Sequence, residues 1–377
     1  MIFFLLYLYI NTIIIMKEKS NKLTLLVDGN WLLISRASVL MNNFNKNLPE
    51  EAKKQSQTDL EDLLAKSICV MLSRIPTIDN IILMADGGSW RKQLQVPNQI
   101  EGTTYKGNRT QDNEIEWSYI YKALNNLVEK AREEGITVAQ YNNIEGDDWV
   151  WYWSRRLNSE GVNCLIWSSD NDLKQLIQVD DSTNAFTAWY NDRNGMWMPE
   201  SIKESTDEMD FFMNPQYYSP ILESIKNRIP NQNYINPDSI VMSKIICGDA
   251  GDNILPIFRY QKGERTYRIT EKDWEQIKEE LEQVNNINDF IKHTPGIVWL
   301  IAKHKKFKPY KPNISNLTEM IEYNTKLVWL NEKSIPDTII QFMNQQEYKL
   351  INISYLRSNY KVLVKENDMI QNLFEGI

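Results

Sequence analysis

Histidine, cysteine and long apolar segments are scarce in this sequence, and each scarcity excludes a class of function. The two histidines, His293 and His304, are too few for histidine-based zinc chemistry or a Ser-His-Asp triad. The three cysteines, Cys69, Cys164 and Cys247, lie far apart without a CxxC pair, which favours neither a disulfide framework nor a zinc site. Any catalysis therefore depends on carboxylates, lysines or metal ions, and reduced cysteines suit the cytoplasm.

An apolar stretch at the N-terminus is too short to cross a bilayer. Residues 2–15 form a run of about 14 residues, whereas a spanning helix needs roughly 20. No basic segment precedes the run and no small-residue cleavage site follows it, so a signal peptide also fits poorly. We interpret residues 1–15 as a mis-assigned start or a disordered apolar leader, with Met16 as the ordinary start and a weak membrane anchor as the alternative.

The negative net charge of the chain is only weak evidence against a polyanionic ligand. The net charge is −8, while 42% hydrophobic and 24% charged residues are ordinary for a soluble protein. A few clustered carboxylates can contribute much of such a negative charge, and a cation bound among them inverts it locally. The distribution of charge is therefore more informative than its sum, and the length of 377 residues favours two domains.

Apolar segments alternate with helical patterns over the first half of the chain. The β–α–β order predicts an α/β fold with a central, mostly parallel sheet flanked by helices. Residues 199–236 are rich in Pro, Asn, Ser and acidic residues and are interpreted as an irregular surface insertion. The segment after about residue 255 is mostly helical in pattern. The predicted strands are residues 23–27, 81–84, 136–141, 163–167 and 185–190, and helical spacing covers residues 58–74, 112–134 and the segment between Asp148 and Gly161.

Acidic residues collect at the predicted strand ends and helix starts. Singly, each has an ordinary explanation as a turn residue, a helix N-cap or a loop residue. As a set they are expected to share one crevice, because loops leaving the carboxyl ends of parallel strands converge there. Their mutual repulsion favours cations between them. The set comprises Asp28, Asp86, Glu145, Asp147, Asp148, Asp170, Asp172, Asp249 and Asp252.

Oxygen-only ligation selects hard divalent ions over zinc. We expect two Mg²⁺ ions per site, with Mn²⁺ able to substitute. Two such ions about 4 Å apart can activate a water and stabilise the leaving oxygen in phosphoryl displacement. The chemistry indicated is phosphodiester hydrolysis.

Basic and aromatic residues follow the second predicted strand. Residues 89–110 are polar and basic, and Trp90 beside Arg91 and Lys92 is interpreted as a grip on single-stranded DNA. Lys106 and Arg109 are spaced for one helical face, from which both could offset charge on a phosphate. For Lys106 and Arg109, a solvated basic turn is the alternative interpretation.

Two further groups have structural explanations of at least equal weight. Trp149 and Trp153 lie on one helix face, so core packing is favoured over base stacking. Residues 303–308 carry four lysines, which suits either the phosphate backbone of duplex DNA or a solvated surface.

The ordered motifs resemble the flap-endonuclease family of 5′ nucleases, and within it the RNase H enzymes of T-even type bacteriophages. The similarity covers roughly residues 22–268, including the segment Lys262-Gly263-Glu264-Arg265-Thr266. The glycine-rich turn of the family's helix-three-turn-helix is missing after Asp252, which puts a bound potassium ion in doubt. The matching motifs are Val27-Asp28-Gly29-Asn30, Ala85-Asp86, Tyr105-Lys106-Gly107-Asn108-Arg109, Glu145-Gly146-Asp147-Asp148, Ser168-Ser169-Asp170-Asn171-Asp172 and Gly248-Asp249-Ala250-Gly251-Asp252-Asn253.

The resemblance implies a role for each matching residue. Asp148 and Asp249 are expected to orient water in an outer shell. Tyr105, Lys106 and Arg109 are expected on an arch over the 5′ end. Lys262 and Arg265 are expected to bind nucleic acid. The first metal is assigned Asp28, Asp86, Glu145 and Asp147, and the second Asp170, Asp172 and Asp252, with Lys106, Arg109, Asp28, Asp86, Asp147 and Asp170 as the catalytic group.

The implied domains follow the motifs. A PIN-like 5′ nuclease catalytic domain is expected after the leader, and a helical duplex-DNA-binding domain with a divergent helix-three-turn-helix is expected behind it. The predicted bounds are residues 16–253 for the first domain, with an arch at 88–112 and the insertion at 199–236, and residues 254–377 for the second.

The implied function is a two-metal 5′–3′ exonuclease and flap endonuclease that removes RNA primers during lagging-strand replication. The expected substrates are RNA–DNA and DNA duplexes with 5′ ends or flaps. Two alternatives are a PIN-type ribonuclease acting on single-stranded RNA and a non-catalytic nucleic-acid-binding scaffold of the same fold. The expected partners include a phage single-strand-binding protein and other replication proteins but no membrane. A monomer in the cytoplasm of an infected host is expected.

Overall fold

The computed structural model describes residues 22–97, 104–204, 220–229, 231–281 and 284–364. The leader at residues 1–15, and parts of the predicted arch, insertion and C-terminal domain, lie outside these described residues. The chain forms two compact units, each with its own hydrophobic core. The first unit contains Met1–Gly88, Gln111–Ile235 and Gln345–Ile377, and the second contains Ser89–Thr110 and Asn236–Asn344.

A mixed, mostly parallel sheet forms the centre of the first unit. Its strands within the described residues are β1 (Leu23–Asp28), β2 (Asn80–Met84), β3 (Thr137–Ala139), β4 (Asn163–Trp167), β5 (Gln178–Val179), β6 (Phe186–Asn191), β7 (Gly195–Pro199) and β8 (Gln232–Ile235). Their order is β3-β2-β1-β4-β6-β7-β8, with β5 beside β6. The first five strands of this order are parallel, which confirms the predicted α/β class.

Strand β1 lies in the middle of the sheet because its side chains are apolar on both faces. It pairs with β2 on one side and β4 on the other, so that Leu25 lies opposite both Ile81 and Leu165. Leu23, Leu25, Leu26 and Val27 are fully buried. Continuous apolar strands of this kind require helices on both faces of a parallel sheet.

Helices cover the sheet of the first unit. The helix Glu50–Arg74 begins eight residues before the predicted 58–74, and Glu50 and Glu51 in its first turn favour this start through the helix dipole. Trp149 and Trp153 are 1% and 0% exposed, which confirms their packing in the core. The helices are α1 (Gly29–Leu40), α2 (Glu50–Arg74), α3 (Trp117–Glu133), α4 (Gly146–Ser159), α5 (Glu200–Glu204) and α6 (Pro220–Arg228).

The prediction of an irregular surface insertion at residues 199–236 is wrong for the part that the structure describes. Helix α6 buries Ile221, Leu222 and Ile225 in the core of the first unit. Strand β8 then pairs in parallel with β7, with Met196 opposite Gln232. The apolar spacing of this helix outweighs the surrounding Pro, Asn and Ser residues, so the segment completes one side of the sheet.

The second unit is mostly helical, as predicted for the later part of the chain. Its helices are α7 (Pro237–Cys247), α8 (Glu271–Glu279), α9 (Ile287–Lys292), α10 (Thr294–Lys303), α11 (Ile314–Val328) and α12 (Asp337–Met343). Helix α7 buries Val241, Met242, Ile245 and Ile246. The fully buried Asn324 of α11 donates hydrogen bonds from its amide to the carbonyl oxygens of Ile245 and Leu255, each at 2.8 Å. These bonds join α11 to the end of α7.

An antiparallel hairpin interrupts the helical pattern of the second unit. It consists of β9 (Arg259–Lys262) and β10 (Arg265–Arg268), joined by the two residues Gly263 and Glu264. Gly263 has a φ of 60°, which glycine adopts without strain. A glycine at the start of a two-residue loop is typical of hairpins, and this signal could have revealed the element from the sequence.

The two units divide the chain differently from a boundary at residue 253. Residues 236–253 belong to the second unit, and helix α13 (Ile353–Ser358) returns to the core of the first. Arg357 of this helix donates from Nε to the carbonyl oxygen of Leu72 at 3.1 Å. The functional domain boundaries remain a prediction. Among the described residues, none of the helices has the length and apolar character required to cross a membrane.

Candidate active site

Four adjacent parallel strands of the first unit end beside predicted site residues. The order β3-β2-β1-β4 places their carboxyl ends along one edge of the sheet. Asp28 is the last residue of β1, and Asp86, Glu145 and Asp170 follow β2, β3 and β4. This is the convergence expected of loops at the carboxyl edge of a parallel sheet.

Asp28 is held at this edge by two hydrogen bonds. Its Oδ1 accepts from the backbone N–H of Trp31 at 2.9 Å, which caps helix α1, and its Oδ2 accepts from the Ser168 hydroxyl at 2.7 Å. Burial, together with the smaller effect of the Asp86 and Asp170 charges, raises the pKa of Asp28 to about 6, and the two hydrogen bonds offset only part of this rise. The carboxylates that follow the two neighbouring strands, Asp86 and Asp170, therefore act electrostatically on Asp28.

Asp86 binds the start of helix α4. Its Oδ1 accepts from the backbone N–H of Gly146 at 2.6 Å, and its Oδ2 accepts from the amide of Asn30 at 3.0 Å. Asn30 also accepts, through its side-chain oxygen, from the backbone N–H of Asp86 at 2.9 Å. The sequence shows Asn30 within a motif but gives no sign of this reciprocal contact.

The loop after Asp86 passes very close to the loop that precedes helix α4. A Cβ atom on Gly87 would lie 1.7 Å from the carbonyl oxygen of Tyr141. The backbone N–H of Gly87 donates to the Ile144 carbonyl at 2.9 Å, and its carbonyl accepts from Asn143 at 2.8 Å. Because only glycine fits here, Gly87 fixes the distance between Asp86 and the acidic start of α4.

Helix α4 begins with three acidic residues, Glu145 as its N-cap and Asp147 and Asp148 in its first turn. Glu145 and Asp148 form a reciprocal capping box, in which each side chain accepts from the backbone of the other. Both are buried, at 5% and 0% exposure, and Asp147 is partly exposed. Negative side chains are favoured at this positive end of the helix dipole. Asp148, expected to orient water, has a structural capping role here.

Asp170 caps the short 3₁₀ helix Asn171–Leu176. Its Oδ1 accepts from the backbone N–H of Asp172 at 2.8 Å, and its own N–H donates to the Ser168 hydroxyl at 3.0 Å. Ser168 therefore bonds to both Asp28 and Asp170. Ser168 thus positions two carboxylates. The resemblance places it in a motif but assigns it no role.

In the second unit, Asp252 is surrounded by the basic segment at residues 104–109. The carboxylate accepts from the Tyr105 hydroxyl at 3.2 Å and forms an ion pair with Arg109, while the Lys106 ammonium lies 3.9 Å away. The segment is a turn rather than a helix, and Lys106 has a φ of 56°. The prediction of one helical face is therefore wrong, although both cations do point to one carboxylate.

Asp249 is also neutralised within the second unit. Its Oδ2 lies 2.5 Å from the Lys244 ammonium, and its Oδ1 accepts from the Gly251 N–H at 2.8 Å. Burial alone raises its pKa, but the hydrogen bond and charge of Lys244 outweigh burial, so the pKa of Asp249 is lowered. The two predicted site carboxylates of this unit, Asp249 and Asp252, thus have cationic partners inside it.

Two residues predicted to grip single-stranded DNA are buried. Trp90 is 6% exposed and Arg91 is 1% exposed, with the guanidinium 4.5 Å from the centre of the Trp90 ring. Arg91 donates from Nε to the carbonyl oxygen of Leu327 at 3.1 Å. In this structure the pair therefore stabilises the second unit, which corrects the prediction. Lys92 and, on the hairpin, Lys262 and Arg265 are exposed.

The donor chemistry of the first unit fits a hard divalent cation. Within the described residues, no three His, Cys, Asp or Glu side chains are already grouped at metal-binding distances. The side chains at the sheet edge nevertheless offer only oxygen donors, which Mg²⁺ and Mn²⁺ prefer. A nearby cation would also favour the ionised form of Asp28, whose pKa is raised by burial and, to a smaller extent, by the charges of Asp86 and Asp170. Each oxygen of Asp28 accepts one hydrogen bond here and retains a second lone pair that a cation could use.

The class of fold is shown by comparison with solved structures. No family model and no curated protein matches the sequence. The mostly parallel sheet flanked by helices matches the PIN-like nuclease fold of a 5′-exonuclease from bacteriophage T5. At the identities found, the likeness shows the fold alone.

Three of the similar structures are of T5 proteins. The T5 D15 protein co-crystallised with metal ions gives a TM-score of 0.50 at 15% identity and covers 91% of this chain and 100% of that one. The T5 5′-exonuclease with bound zinc gives 0.50 at 17% identity, with 86% and 97% covered. A D15 flap endonuclease complex with DNA and metal ions gives 0.50 at 15% identity, with 91% and 100% covered.

Proposed function

We propose that this chain is a divalent-metal-dependent 5′ nuclease of the flap-endonuclease type. The observation that carries the proposal is the alignment of Asp28, Asp86, Glu145 and Asp170 along the carboxyl edge of four neighbouring parallel strands. The pKa of Asp28, which is raised by burial and then by the charges of Asp86 and Asp170, supports it. The T5 proteins of the same fold were crystallised with divalent metals and, in one case, with DNA.

The finer assignment is a phage-type RNase H that acts on RNA–DNA and DNA duplexes and removes RNA primers. In this proposal Asp28, Asp86, Glu145 and Asp147 hold the first of two Mg²⁺ ions. Asp170 and Asp172 contribute to the second, and Mn²⁺ replaces either ion. Bound metal would supply an activated water and charge stabilisation for phosphodiester hydrolysis. Asn30 and Ser168 keep the carboxylates in place before the metal binds.

The second unit has a separate part in the proposal. Tyr105 and Asp252 position Lys106 and Arg109, whose charges then stabilise a phosphate. The sequence-based roles of Asp252 as a metal ligand and of Asp249 in an outer shell remain predictions. Both compete with the ion pairs that these carboxylates form here.

The first test is cleavage of labelled substrates. We expect the chain with Mg²⁺ to cut a 5′-flap DNA substrate and to shorten a duplex carrying a 5′ RNA segment, and EDTA to stop both reactions. Single-stranded RNA of the same sequence is the comparison. Cleavage of that RNA alone would favour the PIN-type ribonuclease, and duplex binding without cleavage would favour the non-catalytic scaffold.

The second test concerns Gly87. We expect Gly87→Ala to lower cleavage by roughly 10²-fold, because the loop must shift and carry Asp86 away from the start of α4. All carboxylates remain present in this variant. Gly296→Ala is the control, since its added Cβ would meet its nearest atom only at 4.0 Å. Equal activity of Gly87→Ala and the unmodified chain would show that the loop spacing is unimportant.

A further inference from the structure

The exposed hairpin of the second unit carries an unusual pairing of like charges. In its register Arg268 lies opposite Arg259, and Arg265 lies opposite Lys262. All four cationic residues are exposed. Like charges directly opposite each other destabilise a sheet, and an isolated two-stranded hairpin is only marginally stable. Both cation pairs therefore work against folding unless an anion lies near them.

The two cation pairs lie on opposite faces of the hairpin, because successive strand residues alternate in direction. Arg259 and Arg268 share one face with Gln261 and Thr266. Thr266 donates from its hydroxyl to the side-chain oxygen of Gln261 at 2.5 Å, which links the two strands on this face.

The opposite face of the hairpin is braced by a cluster of tyrosines. The Tyr310 ring lies 4.6 Å from that of Tyr260 and 4.7 Å from that of Tyr267. Hydrogen bonds from Tyr310 and then from Arg265 lower the pKa of Tyr267. Packing of the three tyrosine rings compensates for part of the repulsion between the like charges and orients the hairpin.

The face with the two arginines borders a cavity of 540 Å³ within the second unit. Among the described residues that line it, Asp249 is the only carboxylate, and it pairs with Lys244. Within the residues that the structure describes, no acidic side chain forms an ion pair with Arg259 or Arg268. The lining is therefore cationic overall, and it comprises Asn108, Cys247, Asp249, Ala250, Asn253, Ile254, Leu255, Pro256, Arg259, Thr266 and Arg268.

We infer that Arg259 and Arg268 form a phosphate-binding site for the backbone of duplex nucleic acid. Paired guanidinium groups match phosphate oxygens in geometry as well as in charge. The described lining residues include no aromatic ring on which a base could stack, so the site binds backbone without reading sequence. This inference rests on the proposed function, because it supplies the substrate contact that a 5′ nuclease requires.

The test is the salt dependence of binding to duplex DNA, measured with the whole chain in Ca²⁺ in place of Mg²⁺. We expect the double variant Arg259→Ala/Arg268→Ala to bind at least tenfold more weakly than the unmodified chain in low salt. The slope of log K against log[salt] should fall by about 0.9 for each phosphate that the variant no longer neutralises. The control Lys326→Ala/Lys333→Ala removes two exposed cations of the same unit outside the cavity, and its slope should fall less.

A conservative variant separates charge from geometry. Arg259→Lys/Arg268→Lys should keep the salt slope but bind with lower affinity, since lysine lacks the planar fork. An unchanged slope and affinity in the alanine variant, or equal reductions in the two alanine variants, would overturn the phosphate site. Circular dichroism and thermal melting check that each variant is folded.

The outcomes for the site and for the proposed function are distinct. If the unmodified chain cuts a 5′ flap with Mg²⁺ while the alanine variant keeps the slope, the phosphate site is wrong and the nuclease proposal stands. If the slope depends on the arginines but no substrate is cut under any metal condition, the nuclease proposal fails and the phosphate site stands.

Discussion

Replacement of Asp147 by asparagine is expected to abolish cleavage while leaving binding of the nucleic acid within about threefold. Asp147 lies in the first turn of helix α4, beside Gly146, whose backbone N–H holds Asp86. The substitution keeps the size of the side chain and removes one negative charge from the proposed ligand set. Loss of a metal ligand removes several kcal/mol of transition-state stabilisation, which corresponds to roughly 10³-fold in rate.

The measurement for Asp147→Asn is the single-turnover rate on a 5′-flap substrate with Mg²⁺, together with binding by fluorescence anisotropy in Ca²⁺. Asp181→Asn is the matched control, because it makes the same change at an exposed position of the first unit. A normal rate for Asp147→Asn would show that the first metal has been assigned to the wrong residues.

Replacement of Trp153 by alanine is expected to destabilise the first unit by about 3–5 kcal/mol. Trp153 is fully buried, and its ring lies 5.3 Å from that of Tyr152 and 5.9 Å from that of Tyr348. The Arg156 guanidinium lies 5.0 Å from the Trp153 ring. The cavity left by alanine lets helix α4 shift, so cleavage by the folded fraction should also weaken although no ligand is altered.

Chemical denaturation measures this loss of stability, and Trp299→Ala is the control. Trp299 lies in helix α10 and is 53% exposed, so its removal should change the free energy of unfolding by less than about 0.5 kcal/mol. Trp153→Phe serves if the alanine variant does not fold, since it retains most of the packing. Full stability and activity in both Trp153 variants would mean that α4 does not depend on this contact.

The positions of the carboxylates in the first unit could be predicted from the sequence because they follow directly from strand order. A parallel sheet brings the ends of neighbouring strands together whatever the lengths of the helices between them. The position of each carboxylate could therefore be predicted from two features, the apolar run before Asp28 or Asp170 and the acidic residue at its end. The supporting contacts from Asn30 and Ser168 depend on loop geometry, which spacing alone does not determine.

Other features could not be predicted because long-range packing decides them. Strand β8 reads as polar, and its pairing with β7 becomes clear only when α6 is placed in the core. Arg91 has the sequence character of a surface cation, yet a carbonyl acceptor and the Trp90 ring satisfy it in the interior. Lys106 and Arg109 meet at Asp252, which is more than 140 residues away along the chain.

The most direct test of the proposal is a titration of the chain with Mn²⁺, followed by electron paramagnetic resonance of the free ion. We expect saturable binding by the unmodified chain and by Asp181→Asn, with loss of at least one bound ion in Asp147→Asn. Binding of the same number of Mn²⁺ ions with the same affinity in all three proteins would contradict the claim that the acidic start of α4 and the neighbouring strand ends form a metal site.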